Sequence, residues 1–171
     1  MTPVSLDAVL KNKELRVARQ QEWLVRYQFP LVSISVNMPG AYKDTPSSQV
    51  IFDTLLHALQ QALHVKGWDI QERFTCKAIT GPEGLLAVNA EALAIKKLTC
   101  KVECEHPLGR FIDMDVIGTD GAILSRALLG KARRTCYLCE DEAVLCGRSR
   151  KHDIHELIDF IDQRVAEYIR E

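Results

Sequence analysis

The chain has 171 residues, of which 47% are apolar and 26% charged, and its formal net charge is -1. This length favours one domain, over residues 1–171, with a full hydrophobic core. The near-neutral charge argues against a nucleic-acid or anionic-membrane partner. Because no apolar run reaches the roughly 18 residues of a membrane span and the N-terminus lacks a signal-peptide pattern, we expect a cytoplasmic protein.

Hydrophobic periodicity predicts an alternation of helices and strands along the chain. The predicted helices are 5–27, 47–65 and 155–169, and the predicted strands are 31–36, 68–79, 85–88 and 111–117. Residues 81–84, with the sequence Gly-Pro-Glu-Gly, predict a turn. Residues 91–105 fit both periods. The pattern indicates a single α+β domain in which a mixed or antiparallel sheet is flanked by helices.

Two carboxylates stand two residues apart in the predicted strand 111–117. Alternation sends Asp113 and Asp115 to one face, roughly 6–7 Å apart, and three apolar side chains to the other. Hard cations prefer oxygen ligands, and Mg²⁺ in phosphate-transfer sites is typically held by one or two carboxylates. The acid pair therefore predicts a Mg²⁺ site, and solvated acids on an edge strand are the alternative.

An Asp-Gly pair between two apolar runs predicts a β-hairpin after the acidic strand. With Asp120 and Gly121 as a two-residue loop, Arg126 lies opposite Asp115 on the same face. An arginine beside two acids suits a metal-bound polyphosphate, because its guanidinium binds phosphate oxygens. A salt bridge that only stabilises the hairpin is the alternative. A one-residue slip of the loop would put Arg126 on the other face.

Three cysteines and a histidine follow with metal-ligand spacing. Cys136, Cys139, Cys146 and His152 form the pattern C-x2-C-x6-C-x5-H, and three thiolates with an imidazole can complete a tetrahedral Zn²⁺ site. On one continuous helix Cys146 and His152 would lie about 120° apart, so this prediction needs a chain break near Gly147. Small buried hydrophobic residues are the alternative, as free cysteines often are.

Basic residues surround these cysteines, and they could either line a triphosphate pocket or solvate a loop and a helix start. They are Lys131, Arg133, Arg134, Arg148, Arg150 and Lys151.

Taken in this order, the segments resemble the holo-acyl-carrier-protein synthases of citrate lyase, the apo-citrate lyase phosphoribosyl-dephospho-CoA transferases. The resemblance covers about residues 16–157. The matching residues are Arg19, Gln20, Trp23, Leu24, 30–33, Pro39, Gly40, Lys43, Asp44, 81–84, 106–110, Asp113, Asp115, 124–126, 136–139, Cys146 and His152. The chain departs from the family pattern at Thr135, where a basic residue is usual, at Ile112, near which an aromatic is usual, and at Ala41, where proline is common.

The resemblance implies transfer of the phosphoribosyl-dephospho-CoA group from 2′-(5″-triphosphoribosyl)-3′-dephospho-CoA to a serine of the citrate lyase acyl carrier subunit, with release of diphosphate. It also implies a nucleotidyltransferase-like core and favours a helix for residues 91–105.

Together, the resemblance and the residue pattern suggest roles for individual side chains. Asp113 and Asp115 would hold Mg²⁺ and act in catalysis, with Glu103 as a candidate third carboxylate. The substrate-binding candidates are Gly109, Arg110, Arg126, Arg134 and Lys43.

Two other functions fit the sequence. One is a zinc-stabilised module, without catalysis, that binds or assembles the carrier subunit. The other is a nucleotidyltransferase with a different acceptor.

Overall fold

An antiparallel sheet separates two layers of helices in the computed structural model, which describes residues 2–170. The strands are β1 (Leu31–Val36), β2 (Ile70–Ala78), β3 (Gly81–Val88) and β4 (Ile112–Ile117), in the sheet order β2-β3-β1-β4. The helices are α1 (Leu6–Tyr27), α2 (Pro46–Val65), α3 (Ala92–Glu105), α4 (Ala143–Ser149) and α5 (Ile154–Arg170). The predicted α+β class is confirmed, in its antiparallel form, and residues 92–105 are helical.

Local sequence signals set the ends of the first two helices. Ser5 caps α1, and its hydroxyl accepts the Ala8 N–H at 3.2 Å. At the start of α2, Thr45 and Ser48 form a reciprocal capping box. Pro46 follows the cap, where a missing N–H costs nothing because that group has no partner inside the helix.

The main core lies between one face of the sheet and the helices α2, α3 and α5. Alternate residues of the central strand β1 and the edge strand β4 contribute to it, because successive side chains of a strand point to opposite faces. These buried strand residues are Val32, Ile34, Ile112, Met114 and Val116. The prediction that the apolar residues of β4 share one face is therefore confirmed.

Helix α1 covers the opposite face of the sheet, and its two halves do this differently. The C-terminal half packs Trp23 onto a second apolar cluster of strand residues. The N-terminal half is polar and surrounds Glu83 of β3, which is 6% exposed. This carboxylate accepts hydrogen bonds from Asn12 at 2.9 Å and Arg16 at 2.8 Å in this half, and from Arg19 in the following turn at 3.4 Å. The polar half of α1 consequently lies over the half of the sheet that carries the acid pair.

The Gly-Pro-Glu-Gly segment is not a turn. Residues 81–84 begin β3, all of whose residues are buried, and the reversal from β2 is made by Ile79 and Thr80. Pairing of β3 with β1 begins at Glu83, one residue after Pro82. The proline therefore lies outside this ladder, where its missing N–H would have removed a hydrogen bond. Burial of the segment under α1 therefore outweighed its turn-like composition.

The predicted Asp-Gly hairpin register is also wrong. Gly118 donates to the Ala122 carbonyl at 2.8 Å, which makes the loop three residues long and shifts the pairing by one. The Asp120 side chain accepts the Ala122 N–H at 3.0 Å, and Gly121 has a φ of +81°, as a three-residue loop with a left-handed glycine requires. Arg126 consequently starts a 3₁₀ turn and does not pair with Asp115.

Gly109 should be essential for stability because the turn before β4 packs directly against the end of α3. A Cβ atom at this position would lie 2.5 Å from the Glu103 carbonyl oxygen and 2.7 Å from that of Val102. We expect Gly109→Ala to lower the free energy of unfolding by about 2 kcal/mol or more, measured by urea denaturation. Gly147→Ala is the matched control, since apart from its chain neighbours and the backbone of its own helix no heavy atom of residues 2–170 lies within 4 Å of its added Cβ. Equal stability of the two variants would contradict this packing.

Candidate functional site

The acid pair lies on the face of the sheet that α1 covers, on the edge strand β4. The register places Asp113 beside Ser35 of β1 and Asp115 beside Ser33. Asp113 is half-buried, whereas Asp115 is exposed and has no ion-pair partner among residues 2–170. Ser35 and Asp113 both line a pocket between α1 and the sheet, whereas the Ser33 hydroxyl beside Asp115 accepts a hydrogen bond from the Gln20 side chain of α1 at 3.1 Å.

Arg134 is the cation beside the acid pair. It donates to Asp113 Oδ1 and to the Ile112 carbonyl oxygen, each at 2.8 Å, and it pairs with Glu103 at 2.8 Å. Burial alone would lower the pKa of Arg134, but the carboxylates of Glu103 and Asp113 outweigh it and raise the pKa. The guanidinium is therefore a fixed positive charge at the site.

Asp113 has an unusual environment for an acid. Burial raises the pKa of its carboxyl above the usual range, against the opposing effect of Arg134, and the negative charge of Asp115 adds to the rise. Its ionised form is thus partly uncompensated by the protein. A carboxylate of this kind next to a second carboxylate favours the binding of an added cation.

Glu103 of α3 is buried and serves the site indirectly. Its oxygens accept the Met114 N–H at 2.8 Å and pair with Arg126 at 2.7 Å and Arg134 at 2.8 Å. Both oxygens are therefore occupied by protein donors, so in this arrangement Glu103 positions two arginines. The sequence carried a weak signal for this role, because Lys96, Thr99 and Glu103 place polar groups at helical spacing on a buried face of α3.

The other predicted binding residues lie at different depths. Arg110 donates to the carbonyl oxygens of Thr135 and Cys136, the latter at 3.3 Å, and faces solvent-accessible space. Lys43 donates to the Met38 carbonyl oxygen, and burial lowers the pKa of its ammonium. Gly109 is buried under the last turn of α3.

Two cavities lie close to Asp113. We call the first the large cleft: it has a volume of about 810 Å³, within the usual size of a ligand site. It lies between residues 134–152, which we call the cysteine segment, the loop after β1 and the start of α5. The second, the small pocket, has a volume of about 180 Å³ and lies between α1 and the sheet, with Asp113 in its wall. Asn37 lines both cavities, and Arg134 of the large cleft bonds to Asp113 of the small pocket.

Both cavities are basic. The basic residues of the large cleft include Arg110, Arg134, Arg150 and Lys151, and those of the small pocket are Lys13, Arg16 and Lys43. The sequence analysis did not predict that Lys13 and Arg16 line this pocket. The pattern that could have indicated it is the row of polar residues Asn12, Arg16 and Arg19 along one side of the amphipathic helix α1. An acid pair beside two basic cavities, with Asp113 in the wall of one of them, suits a phosphate-rich ligand that binds together with a cation.

The cysteine segment forms a second cluster at the wall of the large cleft. The ligand atoms of Cys136, Cys139, Cys146 and His152 all lie within 4.8 Å of one another, so the cluster can hold a metal such as zinc. The chain break that the prediction required is present. It falls at Arg150, which has a φ of 50° and ends α4, and not at Gly147.

Across residues 2–170, no helix is both long and apolar enough to cross a membrane.

Paired carboxylates beside basic cavities on an α+β sheet are typical of enzymes that transfer phosphate-linked groups. Comparison with known proteins is more specific. Residues 4–168 match the family described as apo-citrate lyase phosphoribosyl-dephospho-CoA transferase. The chain belongs to this family, as the resemblance indicated.

Curated relatives agree with this assignment. A Vibrio cholerae serotype O1 protein named "Probable apo-citrate lyase phosphoribosyl-dephospho-CoA transferase" is 44% identical over 169 residues, which is 96% of this chain and 93% of the relative. A protein of Escherichia coli O139:H28 named "Apo-citrate lyase phosphoribosyl-dephospho-CoA transferase" is 39% identical over 156 residues, or 91% of this chain and 85% of the relative.

The raised pKa of Asp113 predicts a pH-dependent stability difference. In the folded protein this carboxyl keeps its proton at pH values where the unfolded chain has released it, so its contribution to stability is lost as the pH rises through the folded-state pKa. We therefore expect Asp113→Asn to match the original chain near about pH 4 and to be the more stable of the two near pH 7. Urea denaturation at several pH values measures this.

Asp115→Asn is the control for this experiment. Because Asp115 is exposed, we expect its replacement to change the free energy of unfolding by no more than about 0.5 kcal/mol at either pH. A loss of stability in Asp113→Asn near pH 7 would contradict the burial cost assigned to the carboxylate.

Proposed function

We propose that this protein transfers the phosphoribosyl-dephospho-CoA group from 2′-(5″-triphosphoribosyl)-3′-dephospho-CoA to a serine of the citrate lyase acyl carrier subunit. Membership of the family supports the reaction type and the citrate lyase acceptor. One observation supports the site: Asp113 lies in the wall of the basic small pocket and bonds to Arg134 in the wall of the basic large cleft, and Asp115 follows it two residues along β4. A nucleotidyltransferase-like core would account for this placement.

The reaction is a substitution at phosphorus. The serine hydroxyl oxygen forms a bond to the α-phosphorus of the donor, the bond from that phosphorus to the bridging oxygen of the β-phosphate breaks, and diphosphate leaves. The hydroxyl proton passes to a base or to solvent. Such transfers depend mainly on alignment of the groups and on neutralising the charge of the leaving diphosphate.

The two aspartates fit Mg²⁺. Oxygen ligands are those that this cation prefers, Asp115 is unpaired within residues 2–170, and only one oxygen of Asp113 bonds to Arg134. In our proposal Asp113 and Asp115 hold Mg²⁺. When bound there, the ion neutralises phosphate charge and lowers the pKa of a nearby hydroxyl.

The basic residues bind and orient the donor in this proposal. Lys43, Lys13 and Arg16 attract phosphates to the small pocket, and Arg134 holds Asp113 in place while offering its own charge. The size of the large cleft suits the dephospho-CoA part, with Arg110 in its wall. Arg126 and Gly109 lie behind this surface and support it, Arg126 through Glu103 and Gly109 through its packing under α3.

Intact-mass spectrometry of the acyl carrier subunit tests this function. After incubation with the protein, Mg²⁺ and the donor, the carrier should gain the mass of the phosphoribosyl-dephospho-CoA group, and EDTA should prevent the gain. Asp113→Asn and Asp115→Asn should each slow the transfer by at least about 100-fold, because each removes a charge on which the metal depends.

Asp53→Asn is the matched control. Asp53 is an exposed aspartate on α2, paired with Lys77 on the opposite side of the sheet from Asp113, and its replacement should leave the transfer rate unchanged. An unmodified carrier in the presence of folded protein and intact donor would overturn the proposal and favour a non-catalytic carrier-binding module. Full activity of either site variant would overturn the metal assignment alone.

A further inference from the structure

We propose that Cys136, Cys139, Cys146 and His152 bind one structural zinc ion, and that this ion holds the wall of the large cleft in place. The inference rests on the positions of these four side chains and does not depend on the proposed function.

The distances between the ligand atoms fit a tetrahedral zinc site. Cys136 Sγ lies 3.4 Å from Cys146 Sγ, and His152 Nε2 lies 3.2 Å from Cys139 Sγ. With zinc–sulfur bonds of about 2.3 Å and zinc–nitrogen bonds of about 2.0 Å, the edges of a tetrahedron are roughly 3.5 to 3.8 Å long. All four ligand atoms are within 4.8 Å of one another, so small side-chain movements suffice to enclose an ion.

The backbone around the first two cysteines supports this arrangement. Cys136 donates its N–H to the Asp141 carbonyl at 2.7 Å, and Ala143 donates to the Arg134 carbonyl at 2.9 Å, which closes a narrow loop. Inside the loop, the Leu138 N–H lies 3.5 Å from Cys136 Sγ. A backbone N–H directed at a cysteine sulfur stabilises the thiolate form that metal binding needs.

The second half of the site comes from a helix that ends early. Cys146 lies on α4, which ends at Arg150 in the left-handed conformation, with the Lys151 N–H bonded to the Cys146 carbonyl at 3.3 Å. This reversal brings His152 back toward Cys139, where a continuous helix would have carried it away. The left-handed backbone conformation is unfavourable for an arginine, so other interactions of the turn at Arg150 must offset its cost.

A structural ion fits better than a catalytic one. Three thiolates and one imidazole already fill four positions, whereas catalytic zinc keeps one position for water or substrate. A redox-active disulfide is the competing chemistry, but it would use two of the cysteines and leave the convergence of Cys139 and His152 without a reason.

The zinc site would fix the residues that surround the acid pair. Arg134 precedes Cys136 by two residues and bonds to Asp113, while Arg110 bonds to the Cys136 carbonyl. Tyr137, inside the cysteine loop, packs edge-on against Phe111 at 5.2 Å between ring centroids. In our inference zinc holds residues 134–152 as one unit against β4, since few of these residues are buried.

Metal analysis of the whole protein, purified under reducing conditions, tests the site. We expect close to one zinc ion per chain. Cys139→Ser and His152→Ala should each weaken zinc binding by more than the roughly 10- to 100-fold typical of changes outside the ligand set. Cys76→Ser is the control: Cys76 is a free cysteine on β2, outside the cluster, and the variant should keep the metal. Exchange of zinc for cobalt in the unaltered chain should give the absorption of tetrahedral thiolate coordination, a readout that needs no variant.

Trypsin cleavage tests the effect on the wall. Residues 134–152 carry Arg148, Arg150 and Lys151 as exposed cleavage sites, and we expect a zinc chelator to speed their cleavage by about tenfold or more. Three results would overturn the zinc assignment. They are no zinc uptake by the reduced protein, a metal-free protein whose mass is lower by two hydrogen atoms because two of the cysteines form a disulfide, and zinc retained by the Cys139→Ser and His152→Ala variants. Zinc bound without any change in cleavage on its removal would overturn the role in holding the wall.

Discussion

The site depends on one buried carboxylate, Glu103, that serves three parts of the chain at once. It accepts the Met114 N–H of β4, and it pairs with Arg126 and Arg134 from the two segments that follow. A buried carboxylate is stable only when its oxygens are paired, and here every contact comes from a different part of the fold. The positions of β4, the 3₁₀ turn and the cysteine segment are coupled through it.

The constraint arises because β4 is an edge strand. Within residues 2–170, its outward side meets other backbone at the end of the strand, where Leu124 donates to the Val116 carbonyl at 2.9 Å. Unpaired groups at an edge invite association with another chain. Side chains satisfy the outward groups of Ile112 and Met114. Glu103 accepts from Met114, Lys96 donates to the Met114 carbonyl at 3.4 Å, and Arg134 donates to the Ile112 carbonyl at 2.8 Å. The same arginine that satisfies the strand also reaches Asp113, so edge protection and the candidate site use one side chain.

The helices and strands, and the side of a strand on which each residue lies, were predictable from sequence where they depend on the local pattern of apolar and polar residues. Strand 31–36 was predicted with its observed bounds, and the alternation of β4 correctly separated the acids from the apolar residues. Residue 126 was misplaced because its position depends on a one-residue difference in loop length and on the distant Glu103. Residues 81–84 look like a turn in isolation and form a strand only because α1 and both neighbouring strands bury them. The roles of Glu103 and Lys13 follow from contacts across the fold, for which a single sequence carries little signal.

A double-mutant cycle between Glu103 and Arg134 tests most directly whether this carboxylate couples the segments. Free energies of unfolding would be measured for Glu103→Gln, Arg134→Gln and the double variant. Because Glu103 and Arg134 are 4% and 18% exposed, we expect a coupling energy of about 1–3 kcal/mol. The exposed pair Lys101 and Glu105 on the same helix should give no more than about 0.5 kcal/mol. Additive effects of the Glu103 and Arg134 replacements would contradict the central role of the buried pair.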